Sequence, residues 1–384
     1  MNPLKTLNDF GQAVWIDFLS RDFVADGALA KMIDNDGLKG LTSNPTIFAS
    51  AIEKGGVYLR ALEDAAAKLG AGATPKALYE VLAVADIQAA ADAMAKVHRA
   101  TDGRDGYVSL EVAPDLANDT EGTIAEARRL WGAVSRPNLM IKVPGTKAGI
   151  PAVRTLLGEG INVNITLLFA QAAYVEVADA YLDGLETFIK GGGSAKQLAS
   201  VASFFVSRID TAVDAAIDQR LPALAAHERT ELTALKGKVA IANAKLAYRH
   251  YQQLVARPRW QGLAAKGARP QRLLWASTST KNPAFRDVLY AEELIGPDTV
   301  DTMPPSTIDA FRDHGKPRPS LIEDIAGAEQ VMATLARFGV SIDAVTDKLV
   351  VDGVKLFADA FDKLLGAVAH KQTEEPVRRA SGQR

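Results

Sequence analysis

Five polar residues interrupt runs that otherwise carry aliphatic side chains. Lys142 stands in Leu139-Met140-Ile141-Lys142-Val143, and Glu111 in Val108-Ser109-Leu110-Glu111-Val112. Asp17 follows Trp15-Ile16, Asn44 follows Gly40-Leu41-Thr42-Ser43, and Thr166 alternates with Asn162 and Asn164 in Ile161–Leu167. Burying a lysine and two carboxylates without partners costs several kcal/mol each, so these groups must be paired, neutralised or in use. An amine shielded from water has its charged form disfavoured. A neutral lysine attacks a ketone carbonyl, and the resulting iminium accepts the electrons released by C–C cleavage. Such chemistry needs proton transfers and a positioned water. With no histidine at these positions, Glu111 and Asp17 must carry the protons. Thr166 is suited to holding the water, and asparagines such as Asn44 and Asn164 to reading hydroxyls.

Each residue also has a plainer reading. A lysine in an apolar run is often a solvated strand end, and Glu111 could be its ion-pair partner. Asp17 could cap a loop, Asn44 before Pro45 reads as a helix start, and Thr166 could bond Asn164. What sets these readings back is their coincidence. All five residues fall late in separate apolar segments.

The rest of the composition narrows the chemistry. The 384 residues contain no cysteine, which excludes disulfides, thiolate metal sites and a cysteine nucleophile. The five histidines, His98, His227, His250, His314 and His370, show no metal-binding spacing, so neither a metal nor another cofactor is expected. The charges, 44 basic against 46 acidic, leave a net −2 and no basic field to attract nucleic acid. No run approaches the length of a membrane span, and the N-terminus lacks the layout of a signal peptide, so a cytoplasmic protein is expected.

What must position these side chains is a set of eight short strand-like segments: 13–17, 37–44, 106–112, 139–144, 161–168, 199–208, 272–277 and 299–304. Each is followed by a longer helical stretch, and alternating strands and helices imply a parallel sheet. An open doubly wound sheet is the rival, but Trp15-Ile16-Asp17-Phe18-Leu19 carries no Gly-rich dinucleotide fingerprint. The pattern predicts an α/β fold, a single (β/α)8 TIM barrel over residues 1–370 with additional helices, followed by a polar, frayed tail over 371–384. The 211–254 stretch reads as helical, broken once near Leu221-Pro222. Side chains alternate across a strand, so each polar set projects into the barrel near the C-terminal mouth, where barrel enzymes hold their sites. After the seventh segment, Ser277-Thr278-Ser279-Thr280-Lys281-Asn282-Pro283 reads as a polar loop opening a helix at Asn-Pro. Its hydroxyls, N–H groups and cation suit a phosphate, with Arg208 at the end of the sixth strand as a second cation.

At these residues the chain resembles the transaldolases, over almost its whole length and in the order of that family's motifs. The pieces are Trp15-Ile16-Asp17, Thr42-Ser43-Asn44-Pro45, Val108–Val112, Ile141-Lys142-Val143-Pro144-Gly145-Thr146, Asn162–Phe169 and Ser203–Arg208. The resemblance, closest to the longer bacterial branch, implies a class I aldolase-like barrel with Lys142 as Schiff-base lysine. Asp17 would act as acid/base at the C4 hydroxyl, and Glu111 with Thr166 would hold the water. Asn44, Asn164 and Ser203 would meet the dihydroxyacetone hydroxyls, and Arg208 and Ser277 the phosphate. Relatives with Ser-x-Arg after the seventh strand differ from this chain, where Lys281 would stand in for the arginine; which hydroxyl of 277–280 meets phosphate stays open. The implied activity is transfer of a dihydroxyacetone unit between sugar phosphates in the non-oxidative pentose phosphate pathway, by a monomer or homodimer. A fructose 6-phosphate aldolase and a non-catalytic sugar-phosphate-binding barrel are the alternatives. Phe205, where aldolase-like members tend to carry tyrosine, favours transfer.

Overall fold

The computed structural model describes residues 2–54, 56–70 and 72–381, with side chains for all of these except 54 and 372–381. Eight strands form one closed parallel barrel in chain order: β1 Gln12–Asp17, β2 Gly40–Thr42, β3 Tyr107–Glu111, β4 Leu139–Pro144, β5 Val163–Leu168, β6 Ser200–Phe205, β7 Arg272–Ala276 and β8 Thr299–Met303. The expected barrel is thus present, and the open-sheet alternative is not. Closure leaves no strand edge unpaired.

Six of the eight strands are shorter than expected, two of them by four residues or more, each of these two for a local reason. The segment expected over 37–44 is strand only over Gly40–Thr42, because Asn44 turns the chain into the helix Pro45–Lys54. The segment expected over 199–208 ends at Phe205, because Ser207 already begins the helix Ser207–Arg220. Arg208 therefore lies in a helical first turn, not on a strand. The expected helical region 211–254 is broken twice: once at Leu221–Ala223, and again where Gly237 turns through φ +73° before the helix Val239–Val255.

The strand register sets which inward side chains are neighbours. Asp17 pairs with Thr42 and Thr42 with Ser109. Glu111 pairs with Lys142 and Lys142 with Asn164, which brings β3, β4 and β5 together at the lysine. Two residues before Asp17, Trp15 is fully buried and faces Gly40, its register partner. A Cβ on Gly40 would lie 2.4 Å from the indole, so only glycine fits beside that ring.

The C-terminal helix, Ile342–Ser381, crosses back against the helices Pro45–Lys54 and Pro75–Ala100. An edge-to-face series pins it there, with Phe48–Tyr79 centroids 5.5 Å apart and Tyr79–Phe361 centroids 5.7 Å apart. The tail expected from 371 enters this helix; its side chains beyond Lys371, and residues 382–384 entirely, lie outside the described residues. Among the described residues no helix is long and apolar enough to cross a membrane.

Candidate active site

A cavity of about 390 Å³ opens at the C-terminal mouth of the barrel. Of the residues expected at the site, Asp17, Asn44, Lys142, Thr166, Ser203, Arg208, Ser277 and Lys281 line it. Glu111 and Asn164 stand one step behind, each touching a lining residue.

Lys142 is 6% exposed and its Nζ donates to the Ser43 carbonyl at 2.9 Å. Glu111 Oε2 lies 3.5 Å from the same nitrogen, as the register of β3 against β4 requires. Among the described residues neither Glu111 oxygen accepts a hydrogen bond, and Thr166 Oγ1 likewise has no protein partner. These buried atoms can take a water or a substrate hydroxyl, because bonding capacity there is unspent. Burial pushes the Glu111 carboxyl above its ordinary range; Lys142 opposes that rise and the charge of Asp17 adds to it.

Asp17 sits across the cavity at the end of β1. Burial raises its carboxyl too, while Lys142 and a hydrogen bond from Thr42 pull it back. Thr42 Oγ1 donates to Asp17 Oδ1 at 2.6 Å and lies 2.9 Å from Thr302 Oγ1. Thr42 and Thr302 both face the cavity, although neither was expected at the site. The sequence signal was there for Thr42, which shares the inward face with Asn44. On β8 the pattern gave no such signal, because its polar alternation, Thr299 and Asp301, falls on the face opposite Thr302.

Asn44 starts a helix and also reaches the cavity. Its Oδ1 accepts from Ile47 N at 3.0 Å, capping the helix Pro45–Lys54, and the residue still lines the cavity. Asn164 is committed inside the protein: its amide donates to Ser109 Oγ at 3.1 Å, and its Oδ1 accepts from Ser203 Oγ at 2.6 Å. It therefore orients Ser203. Asn162 lies at the opposite end of the barrel, where it bonds Pro137, Leu139 and Ala199 backbone groups.

The cationic rim needs one correction. The helix expected to open at Asn282-Pro283 is a single turn: Asn282 Oδ1 accepts from Ala284 N and its carbonyl from Phe285 N. Thr280 Oγ1 takes the Arg286 carbonyl, and helix begins only at Leu289. The helix N-terminus at this rim is instead that of Ser207–Arg220, which carries Arg208. Ser207 Oγ lies 3.0 Å from Ser277 Oγ, and Ser207 N donates to the Ser277 carbonyl, so this helix start and the loop after β7 are tied together. Ser277 is held at φ +56° to make the turn. The Arg208 guanidinium lies 5.5 Å from the Phe205 ring centroid, and Lys281 Nζ donates to Ser279 Oγ at 2.7 Å. Burial lowers the Lys281 ammonium, and repulsion from Arg208 lowers it further. Two cations brought together beside a helix N-terminus favour an anion. Phe357, from the C-terminal helix, supplies an apolar wall; nothing in its local sequence marks it.

Fold and site together define a (β/α)8 protein with a buried lysine and two carboxylates at the C-terminal mouth, below a cationic rim. The chain matches the transaldolase/fructose-6-phosphate aldolase family over residues 14–368. It is 45% identical to a protein named transaldolase from Trichodesmium erythraeum, across 96% of this chain and 97% of that one. It is 47% identical to a transaldolase of Thiobacillus denitrificans, across 96% and 100%, and 47% identical to a transaldolase of Acidothermus cellulolyticus, across 99% of each. The chain belongs to the transaldolase/fructose-6-phosphate aldolase family, as its motifs led one to expect.

Proposed function

We propose that the protein is a transaldolase, moving a dihydroxyacetone unit from a ketose phosphate to an aldose phosphate in the non-oxidative pentose phosphate pathway. The observation that carries this reading is the Lys142 amine, buried at the mouth between the Ser43 carbonyl and Glu111 and sharing its cavity with Asp17. Lys142 Nζ adds to the C2 carbonyl of sedoheptulose 7-phosphate or fructose 6-phosphate. Loss of water from the carbinolamine leaves an iminium, with Glu111 moving the proton and Thr166 holding the water. Asp17 then takes the C4 hydroxyl proton. The C3–C4 bond breaks, its electron pair enters the iminium to give an enamine, and the shortened aldose phosphate departs. Glyceraldehyde 3-phosphate or erythrose 4-phosphate takes its place, and the same steps run in reverse. Arg208, Lys281 and Ser277 receive the phosphate, while Asn44 and Ser203 receive hydroxyls of the transferred unit.

The reading is tested by borohydride reduction with fructose 6-phosphate, followed by mass mapping. Inactivation with added mass at Lys142 alone is the expected result. Mass at Lys147, the neighbour in the following loop, would sink the assignment. Measuring free dihydroxyacetone with and without an acceptor aldose separates transfer from aldol cleavage; transfer predicts three-carbon turnover only with the acceptor present.

A further inference from the structure

Directly after Thr166 the barrel departs from regular pairing. Ile165 pairs with Ala202, yet Leu168 pairs with Phe204, so β5 holds one more residue than β6 over this interval. Leu167 lies at φ +59°, a left-handed conformation costly for a bulky side chain. Bulges of this kind re-aim side chains and are common beside active sites.

Regular pairing would set Thr166 directly opposite Ser203, where a Thr–Ser hydrogen bond forms readily. In the bulged strand Ser203 gives its hydroxyl to Asn164 instead, and Thr166 Oγ1 is left buried without a partner among the described residues. What holds Leu167 in place comes from far along the chain. A Cβ at Gly353, on the C-terminal helix, would meet Leu167 Cδ2 at 2.8 Å, Cδ1 at 3.6 Å and Cγ at 3.8 Å. The whole isopropyl group therefore rests on the bare backbone of Gly353, and both residues are buried.

We infer that Leu167 and Gly353 are positioning residues: the seat on the C-terminal helix holds the bulge, and the bulge keeps the Thr166 hydroxyl free for the catalytic water. This rests on the role given to Thr166 above. Gly353→Leu denies the seat while favouring the helix, so folding should survive. The expected outcome is a kcat for transfer lowered about 10- to 100-fold, the upper end matching the loss that a misplacement of about 1 Å produces, with donor KM within about twofold of wild type. In a Thr166→Ala background the same substitution should cause no further loss, because its effect runs through that hydroxyl. Leu167→Ala should behave alike if Gly353→Leu does not fold.

Losses that multiply across the two sites, or wild-type kcat in both single variants, overturn the inference. A crystal structure of Gly353→Leu decides it independently of activity. Leu167 leaving the left-handed region and Thr166 pairing with Ser203 support it, whereas an unchanged bulge refutes it. If the wild-type protein transfers nothing, the functional reading fails on that assay, and the crystal structure still decides the bulge.

Discussion

Lys142 and Asp17 separate the two halves of the proposed reaction, and each can be tested alone. Lys142→Arg keeps a cation beside Glu111 but cannot form an iminium, so transfer should be abolished while the thermal melt stays close to wild type. Asp17 must be ionised to accept the C4 hydroxyl proton, and burial raises its carboxyl. The acidic limb of kcat/KM should therefore lie above the range of an ordinary aspartate. The hydrogen bond from Thr42 works against that rise by favouring the carboxylate. Thr42→Val preserves the shape and deletes the donor, so it should move the acidic limb to higher pH. A pH–rate profile checks this, and a shift to lower pH would mean that Asp17 is not the group being titrated.

At the scale of elements, the rim between β6 and β7 carries a graded prediction. Arg208 is partly buried against Phe205 at a helix start, whereas Lys281 reaches the cavity from a loop that leaves the residue more open to solvent. Charge-assisted contacts are worth about 1.5–3 kcal/mol, or roughly 10- to 150-fold. Arg208→Ala should fall near the upper end of that range in donor kcat/KM, and Lys281→Ala at or below the lower end. Arg208→Lys should be worse tolerated than Lys281→Arg, since a lysine lacks the bidentate fork and the planar contact with the ring. Fructose without phosphate should be handled by both alanine variants as poorly as by wild type; equal losses on both donors would make the residues structural. The same rim shows where reading from sequence stops. Eight apolar segments alternating with helical stretches disclosed the barrel, and period-two polar residues in four of them pointed to its interior, because both patterns are local properties. Asn44-Pro45 and Asn282-Pro283 look alike locally, yet the first caps a helix and the second makes one turn, because Thr280 takes the Arg286 carbonyl. Phe357 and Gly353 reach the site across the fold, and no short-range pattern encodes that.

On the scale of the whole molecule, a closed barrel keeps polar groups dry outside its strands as well as inside. Asp301 on β8 alternates away from the cavity-lining Thr302 and is fully buried. One carboxylate oxygen accepts from Thr278 Oγ1 at 2.9 Å, and the other has no partner among the described residues. Burial pushes its pKa up to about 7 from 3.8, with the Thr278 bond only partly opposing. Between those values the folded chain keeps a proton that the unfolded chain has lost. Stability therefore falls as pH rises, because ∂ΔG/∂pH is negative wherever the native state binds more protons. The contribution is fully present below about pH 4, and it is lost through about pH 7. One proton's worth of slope is about 1.4 kcal/mol per pH unit inside that window. Asp210 is also pushed up to about 7, so it adds slope of the same sign. Asp301→Asn keeps an acceptor for Thr278 and cannot titrate. Urea midpoints from pH 4 to 8 should then fall less steeply for the variant than for wild type, by up to that one-proton slope, with the residue left by Asp210 still visible. Because the new amide has no evident acceptor, absolute stability is a poor readout and the slope is the measurement that decides. A variant with the wild-type slope would show that Asp301 stays ionised throughout the window and that the buried carboxylate has a partner within the barrel wall.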